Sequence, residues 1–77
     1  MYQMLIEDSH NGIRYLSSIV LSDDDLKKYD IRVYAQREHM QRNPDDIMLD
    51  EENRIEIFKK INIIGLVSLQ YKQINFN

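Results

Sequence analysis

Histidine and carboxylate side chains are the groups in this sequence from which catalysis or metal binding could be built. The chain has two histidines, thirteen acidic residues and no cysteine. A zinc site on His10 and His39 would need at least one further nitrogen or sulfur ligand, and no thiolate is present to supply it. His10 adjoins an Asn-Gly pair and His39 follows Glu38 on a predicted helix, so we expect both imidazoles at the surface. No metal or cofactor is predicted.

Catalytic motifs are also absent from the sequence. No serine lies in a nucleophile-elbow context and no glycine-rich phosphate loop occurs. Pro44-Asp45 with Glu56 and Lys59 comes close to the pattern of metal-dependent nucleases, but two residues separate Glu56 from Lys59 where that pattern has one. We therefore predict that the chain is not an enzyme. A cleft that gathers His39 with two carboxylates is the feature that would favour catalysis instead.

Length and composition predict one small domain covering residues 1–77. Of these, 43% are hydrophobic and 30% charged, as in globular proteins. A domain of this size buries only about 60% of its unfolded surface. Without disulfides or thiolate zinc, association with a second copy or a larger protein is the remaining source of extra stability. The longest apolar run, residues 63–67, is far shorter than the roughly 20 residues that span a bilayer, and the N-terminus does not resemble a signal peptide. We therefore expect a cytoplasmic protein with no membrane contact.

The first third of the chain predicts a β-hairpin. Apolar residues alternate over residues 2–8 and again over 13–21, and Asn11-Gly12 between them is a strong turn signal because both residues tolerate positive φ. Two antiparallel strands are expected here.

Two helices are predicted next. Ser22 can cap the first, with Asp25 at its third position, which is the pattern of a capping box. Residues 31–36 also alternate like a strand, and helix is preferred because of that cap. Asn43 can cap the second helix, which Pro44 opens and which is expected to run from about residue 44 to 61, with a break near Asn53 allowed. In the first helix one apolar face is expected from Leu26, Tyr29, Val33 and Met40, and in the second from Met48, Ile55, Phe58 and Ile61.

The last element is a predicted strand. The odd positions include the apolar residues Ile61, Ile63, Val67, Leu69 and Tyr71, and the even positions include the polar residues Asn62, Ser68, Gln70 and Lys72. This phase reverses at Gln73. The predicted fold is therefore α+β, a small antiparallel sheet with two helices in the approximate order β-β-α-α-β.

Three surfaces are candidates for binding. The C-terminal strand carries more apolar residues than one sheet face can bury, which indicates a protein interface formed by Val67, Leu69, Tyr71, Ile74 and Phe76. The second candidate is an acidic face that would mimic DNA phosphates and so bind to a nucleic-acid-binding protein in place of DNA. It comprises Asp23, Asp24, Asp25, Asp45, Asp46, Asp50, Glu51 and Glu52. A basic face that would contact nucleic acid comprises Lys28, Arg32, Arg37 and Arg42, interleaved with Tyr29 and Tyr34.

The function expected from these features is protein binding. We predict a small modulator that inhibits a larger intracellular host protein, with a homodimer through strands as its expected free state. Ile, Asn, Lys and Tyr fill 27 positions, a bias common in phages and mobile elements, so an anti-defence protein or a modulator of transcription or replication is the most concrete version. The alternatives are a nucleic-acid-binding regulator and an acidic DNA mimic.

Overall fold

The chain begins with the β-hairpin that its sequence predicts. A computed structural model describes residues 1–69, in which β1 (Tyr2–His10) pairs antiparallel with β2 (Ile13–Leu21). Asn11 and Gly12 have φ of 51° and 78°, so both central residues of the turn occupy the left-handed region that the sequence anticipated. The hairpin prediction is confirmed, and β1 extends to His10.

The first predicted helix is present as two helices. In α1 (Asp23–Lys28) the Ser22 hydroxyl accepts from the Asp25 backbone N–H at 3.0 Å and the Asp25 carboxylate accepts from the Ser22 N–H at 2.8 Å, which confirms the capping box. Tyr29 is then extended, and the Asp30 carboxylate caps α2 (Ile31–Arg42) by accepting from the Arg32 N–H. Residues 31–36 are thus helical as preferred. Tyr29, expected on the buried face, is half exposed because the chain leaves the helix there.

The second predicted helix also breaks, at Leu49–Asp50 rather than near Asn53. A 3-10 helix (Pro44–Met48) precedes α3 (Glu51–Lys59), and the Asp50 carboxylate caps α3 by accepting from the Asn53 N–H. The expectation of one apolar stripe is therefore wrong for Met48, which is 88% exposed, and for Ile55. Asn43 precedes the 3-10 helix as predicted, but its side chain makes no capping hydrogen bond.

The last strand carries a β-bulge that changes its phase. β3 (Asn62–Ser68) pairs antiparallel with β1, which gives the sheet order β2-β1-β3. Leu5 lies opposite Gly65 and Ile6 opposite Ile63, so Ile64 is an extra residue. Ile63 and Val67 therefore lie on opposite faces, and the prediction that they share one is wrong. The reversal expected at Gln73 lies outside the described residues.

The core lies between the helices and one face of the sheet. Its buried apolar members are Met4, Ile6, Leu21, Ala35 and Ile61. These residues join β1 and β2 to α2 and to the segment after α3. The architecture is α+β in the order β-β-α-α-β, as predicted. Within residues 1–69, no helix has the length and apolar character that crossing a membrane would require.

Candidate functional site

Within residues 1–69, one face of the sheet carries no helix and presents a patch of exposed apolar side chains. Residues that alternate with the core positions of β1 and β2 belong to this open face, and so do their partners on β3. We define the open-face patch as the apolar members of this set, which are 37% to 70% exposed: Leu5, Leu16, Val20 and Val67. All three strands contribute to it.

The centre of the patch is Leu5 on the middle strand. Its side chain lies over Gly65, where a Cβ atom would stand 3.5 Å from Leu5 Cδ1. Toward the hairpin turn the same face becomes polar, since Glu7 lies beside Leu16 and pairs with Arg14 at 3.5 Å. The patch therefore occupies the end of the sheet farther from the turn, with a charged boundary on one side. Contiguous apolar surface with a polar rim is typical of protein–protein contacts.

The predicted protein interface overlaps this patch in one residue. Val67 belongs to it, and Leu69 follows the end of β3, where its N–H donates to the Met1 carbonyl at 2.8 Å. Tyr71, Ile74 and Phe76 lie outside the described residues.

Sequence reasoning missed Leu5, Leu16 and Val20 as interface candidates. The signal was present in β2, where Leu16, Ser18 and Val20 alternate with the inward-facing residues. Both faces of that strand carry apolar residues, and only a covering layer decides which of the two is buried.

The eight residues of the predicted acidic face belong to three separate helix starts. Asp23, Asp24 and Asp25 open α1, Asp45 and Asp46 open the 3-10 helix, and Asp50, Glu51 and Glu52 open α3. Asp25 and Asp50 make capping hydrogen bonds. Asp46 is buried, so the expectation that it lies on a solvated face is wrong.

The basic residues of α2 spread around the helix rather than along one stripe. Arg32, Arg37 and Arg42 are five residues apart, which at 3.6 residues per turn places successive ones about 140° apart. Arg32 donates to the Phe58 and Ile61 carbonyls at 3.3 and 3.4 Å, and Arg42 donates to Glu38 at 2.8 Å.

The other two members of the predicted basic face lie apart from these contacts. Arg37 stacks over the rings of Tyr29 and Tyr34. Lys28 lies in the last turn of α1. Because Arg32, Arg37 and Arg42 already contact groups of their own chain, and do so on different sides of α2, the structure does not gather the four basic residues into one surface.

His39 is fully buried between two aspartates, which corrects the expectation of a surface residue. Its Nδ1 lies 2.6 Å from Asp8 Oδ2, and its Nε2 lies 2.7 Å from Asp46 Oδ2. The side chain of His39 is 0% exposed and that of Asp8 3%. We call these three residues the His39 cluster; it joins β1 to α2 and to the 3-10 helix.

Further hydrogen bonds complete the surroundings of Asp8. Tyr15 donates its hydroxyl to Asp8 Oδ2 at 2.9 Å and accepts from Asn43 Nδ2 at 2.8 Å, while the Ser9 N–H donates to the other Asp8 oxygen. Burial and the hydrogen bond to the Asp8 carboxylate raise the pKa of Tyr15 above its ordinary value. Asn43 also donates to the His39 carbonyl, which explains why its side chain is not free to cap the 3-10 helix.

The chemistry of the His39 cluster follows from its geometry. Each of the two short nitrogen–oxygen contacts needs a hydrogen atom between the nitrogen and the oxygen. The imidazole and the two carboxyl groups therefore share two such hydrogens. The structure does gather His39 with two carboxylates, the arrangement that would favour an enzyme. Both ring nitrogens, however, contact carboxylates, and the ring has no exposed surface.

A cleft of about 360 Å³ lies beside the cluster, next to the hairpin turn. His10 and Asp46 line it, with His10 Nδ1 at 3.5 Å from Asp46 Oδ2. His10 is the last residue of β1 rather than a residue of the turn, and its side chain is one-third exposed. No group of three or more histidine, aspartate or glutamate residues in the described part of the chain is placed to hold a metal ion.

Comparison of the chain with protein-family models, with curated proteins and with solved structures finds no match.

Proposed function

We propose that this chain is a small non-enzymatic modulator that binds a larger protein in the cytoplasm through the open-face patch. The observation that supports it is the exposure of Leu5, Leu16, Val20 and Val67 on one face of the sheet. Burying an exposed leucine or valine contributes about 1.5–3 kcal/mol. A monomer gains nothing from leaving four such side chains in water, whereas a complex would gain from covering them.

The size of the open face favours a partner that reaches beyond it. Two strands of nine residues and one of seven, spaced about 4.8 Å apart and rising about 3.3 Å per residue, present about 400 Å². A stable interface takes about 800 Å² from each partner. Among the described strands β3 lies at the edge of the sheet beside the patch, and its outer edge would offer backbone hydrogen bonds to another strand. We therefore propose that the partner covers the open face and the edge of β3 together, and that a homodimer through β3 is the form without a partner.

The most concrete version of this proposal is an inhibitor encoded by a phage or mobile element. It rests on the small size of the chain and on its bias toward Ile, Asn, Lys and Tyr. The target would be a host protein of defence, transcription or replication.

The experiment compares two lysine substitutions on β2. Leu16 and Ile13 are both 70% exposed, but Leu16 belongs to the open face and Ile13 to the opposite face. Tagged wild type, Leu16→Lys and Ile13→Lys are used for pull-down from nuclease-treated bacterial lysate, with identification by mass spectrometry and light scattering of each free protein.

We expect wild type and Ile13→Lys to retain the same stoichiometric protein and Leu16→Lys to lose it. Equal retention by all three variants would show that the open face is not the interface. Retention of nucleic acid alone, once nuclease is omitted, would contradict the protein-binding proposal and favour the nucleic-acid-binding alternative.

A further inference from the structure

The helical layer contains a second exposed apolar surface, separate from the open-face patch. A groove of about 390 Å³ lies between α2 and the segment that runs from the 3-10 helix into α3. Val33 and Met40 line it from α2, and Ile47 and Phe58 line it from the other side. Val33 and Met40 belong to a different stripe of α2 from the buried Ala35 and His39. Ile47 is 56% exposed.

Two arginines border this apolar groove. Arg37 comes from α2 and Arg54 from α3. The guanidinium of Arg37 is held 4.9 Å from the centre of the Tyr29 ring, a cation–π contact that fixes its position without neutralising its charge. Within residues 1–69, neither arginine forms an ion pair with a carboxylate.

The charge of the groove is opposite to that of the whole chain. The sequence has a net charge of −3, yet none of the residues that line the groove is acidic. Guanidinium groups bind carboxylates in a two-point geometry and are enriched in interfaces for that reason. The groove therefore combines an apolar floor with a positive rim that no described carboxylate neutralises.

We propose that this groove binds an acidic amphipathic helix of a partner protein. Apolar side chains of that helix would lie on Val33, Met40 and Phe58, and its flanking carboxylates would pair with Arg37 and Arg54. A helix laid into an apolar groove is a common mode of peptide recognition, and the flexible Met40 side chain can adapt to the anchor it meets.

Charge complementarity decides among the possible occupants. Residues 70–77 contain no acidic side chain and one lysine, so this segment does not match the positive rim. A segment rich in Glu or Asp does. The proposal uses other residues than the open-face patch, and either can hold without the other.

The test uses two labelled synthetic helical peptides and the full chain. Both peptides carry leucines at helical spacing; one has glutamates at the flanking positions and the other has lysines there. Fluorescence anisotropy at low salt measures their binding to wild type, Arg54→Glu and Leu16→Lys. Wild type should bind the Glu peptide at least about tenfold more tightly than the Lys peptide. Arg54→Glu should reverse that preference, and Leu16→Lys should leave it unchanged.

Several results would overturn the proposal. Equal binding of the two peptides to wild type would show that the positive rim has no role. If Arg54→Glu fails to fold by circular dichroism, Ile47→Lys replaces it, and unchanged binding of the Glu peptide to this variant would exclude the groove. A wild-type dimer that dissociates in Arg54→Glu would assign the groove to a second copy, and tighter peptide binding by Phe76→Ser would assign it to residues 70–77.

Discussion

Replacing His39 by leucine should destabilise the protein by about 3 kcal/mol. Removing one partner of a buried ionic group costs about 3–5 kcal/mol because the other partner stays buried without its counter-charge. His39→Leu leaves two carboxylates that met its ring nitrogens at 2.6 and 2.7 Å. The variant retains an apolar side chain of similar bulk, so the loss is mainly electrostatic.

The lower end of that range follows from the surroundings of each aspartate. Asp46 is 11% exposed and borders a cleft, so its carboxylate can turn toward water and His10. Asp8 is 3% exposed and cannot turn toward water, but its carboxylate still accepts hydrogen bonds from the Tyr15 hydroxyl and the Ser9 N–H. The penalty therefore falls on one partly satisfied carboxylate.

Urea unfolding followed by far-ultraviolet circular dichroism measures this loss. A slope of about 1 kcal/mol per molar urea, expected for a small protein, converts 3 kcal/mol into a midpoint lower by about 3 M. His10→Leu is the matched control, since this histidine is one-third exposed, and its change should stay within about 0.5 kcal/mol. Asp8→Asn added to His39→Leu should recover part of the loss, because the amide keeps an acceptor and removes the unpaired charge.

A change below about 1 kcal/mol for His39→Leu would refute this account of the His39 cluster. It would mean that the helical layer is held on the sheet by its apolar contacts alone.

Two further predictions concern the glycines and the first helix cap. Gly12→Ala should lower the free energy of unfolding in urea by about 1 kcal/mol because φ is +78° there. Gly65→Ala should leave it unchanged, since the new Cβ would meet Leu5 at ordinary contact distance. Equal effects of the two substitutions would contradict the turn geometry. Hydrogen bonds from Ser22 hold the pKa of the Asp25 carboxylate below its ordinary value of 3.8, and the backbone N–H has a larger effect than the side chain. The resulting stabilisation is present above pH 3.8 and is lost as the pH falls through the lower pKa that Asp25 has in the folded state. The difference in unfolding free energy between wild type and Asp25→Asn should therefore shrink below pH 3.8, and a constant difference across a pH series of urea titrations would show that the cap carboxylate contributes nothing.

Local signals predicted the parts of the fold that local interactions determine. The Asn11-Gly12 turn and the Ser22 capping box depend on residues within a few positions of each other, and both are present as expected. The breaks at Tyr29–Asp30 and at Leu49–Asp50 were missed, although Asp30 and Asp50 are good capping residues. In the sequence Asp30 follows Lys28 and Tyr29, and Asp50 precedes Glu51 and Glu52. The helical spacing of apolar residues continues through both positions.

The candidate sites depended on contacts between distant parts of the chain. Asp8 and His39 are 31 positions apart, so no spacing rule links them. The open-face patch was foreseen at Val67 alone, because the bulge at Ile64 reverses the phase of β3 and because an alternating strand does not reveal which side the helices cover.

The distribution of apolar and polar residues between core and surface is itself an argument for binding. The described chain buries as many polar or charged residues as apolar ones, among them Asp8, His39 and Asp46. A buried charged cluster contributes little net stability compared with apolar residues of the same volume, while Leu5, Leu16 and Val20 remain exposed on the sheet. Selection for the stability of a monomer alone favours the opposite arrangement. The His39 cluster joins α2 and the 3-10 helix to one face of the sheet, and the opposite face, which no helix covers within residues 1–69, is the one that we propose for a partner.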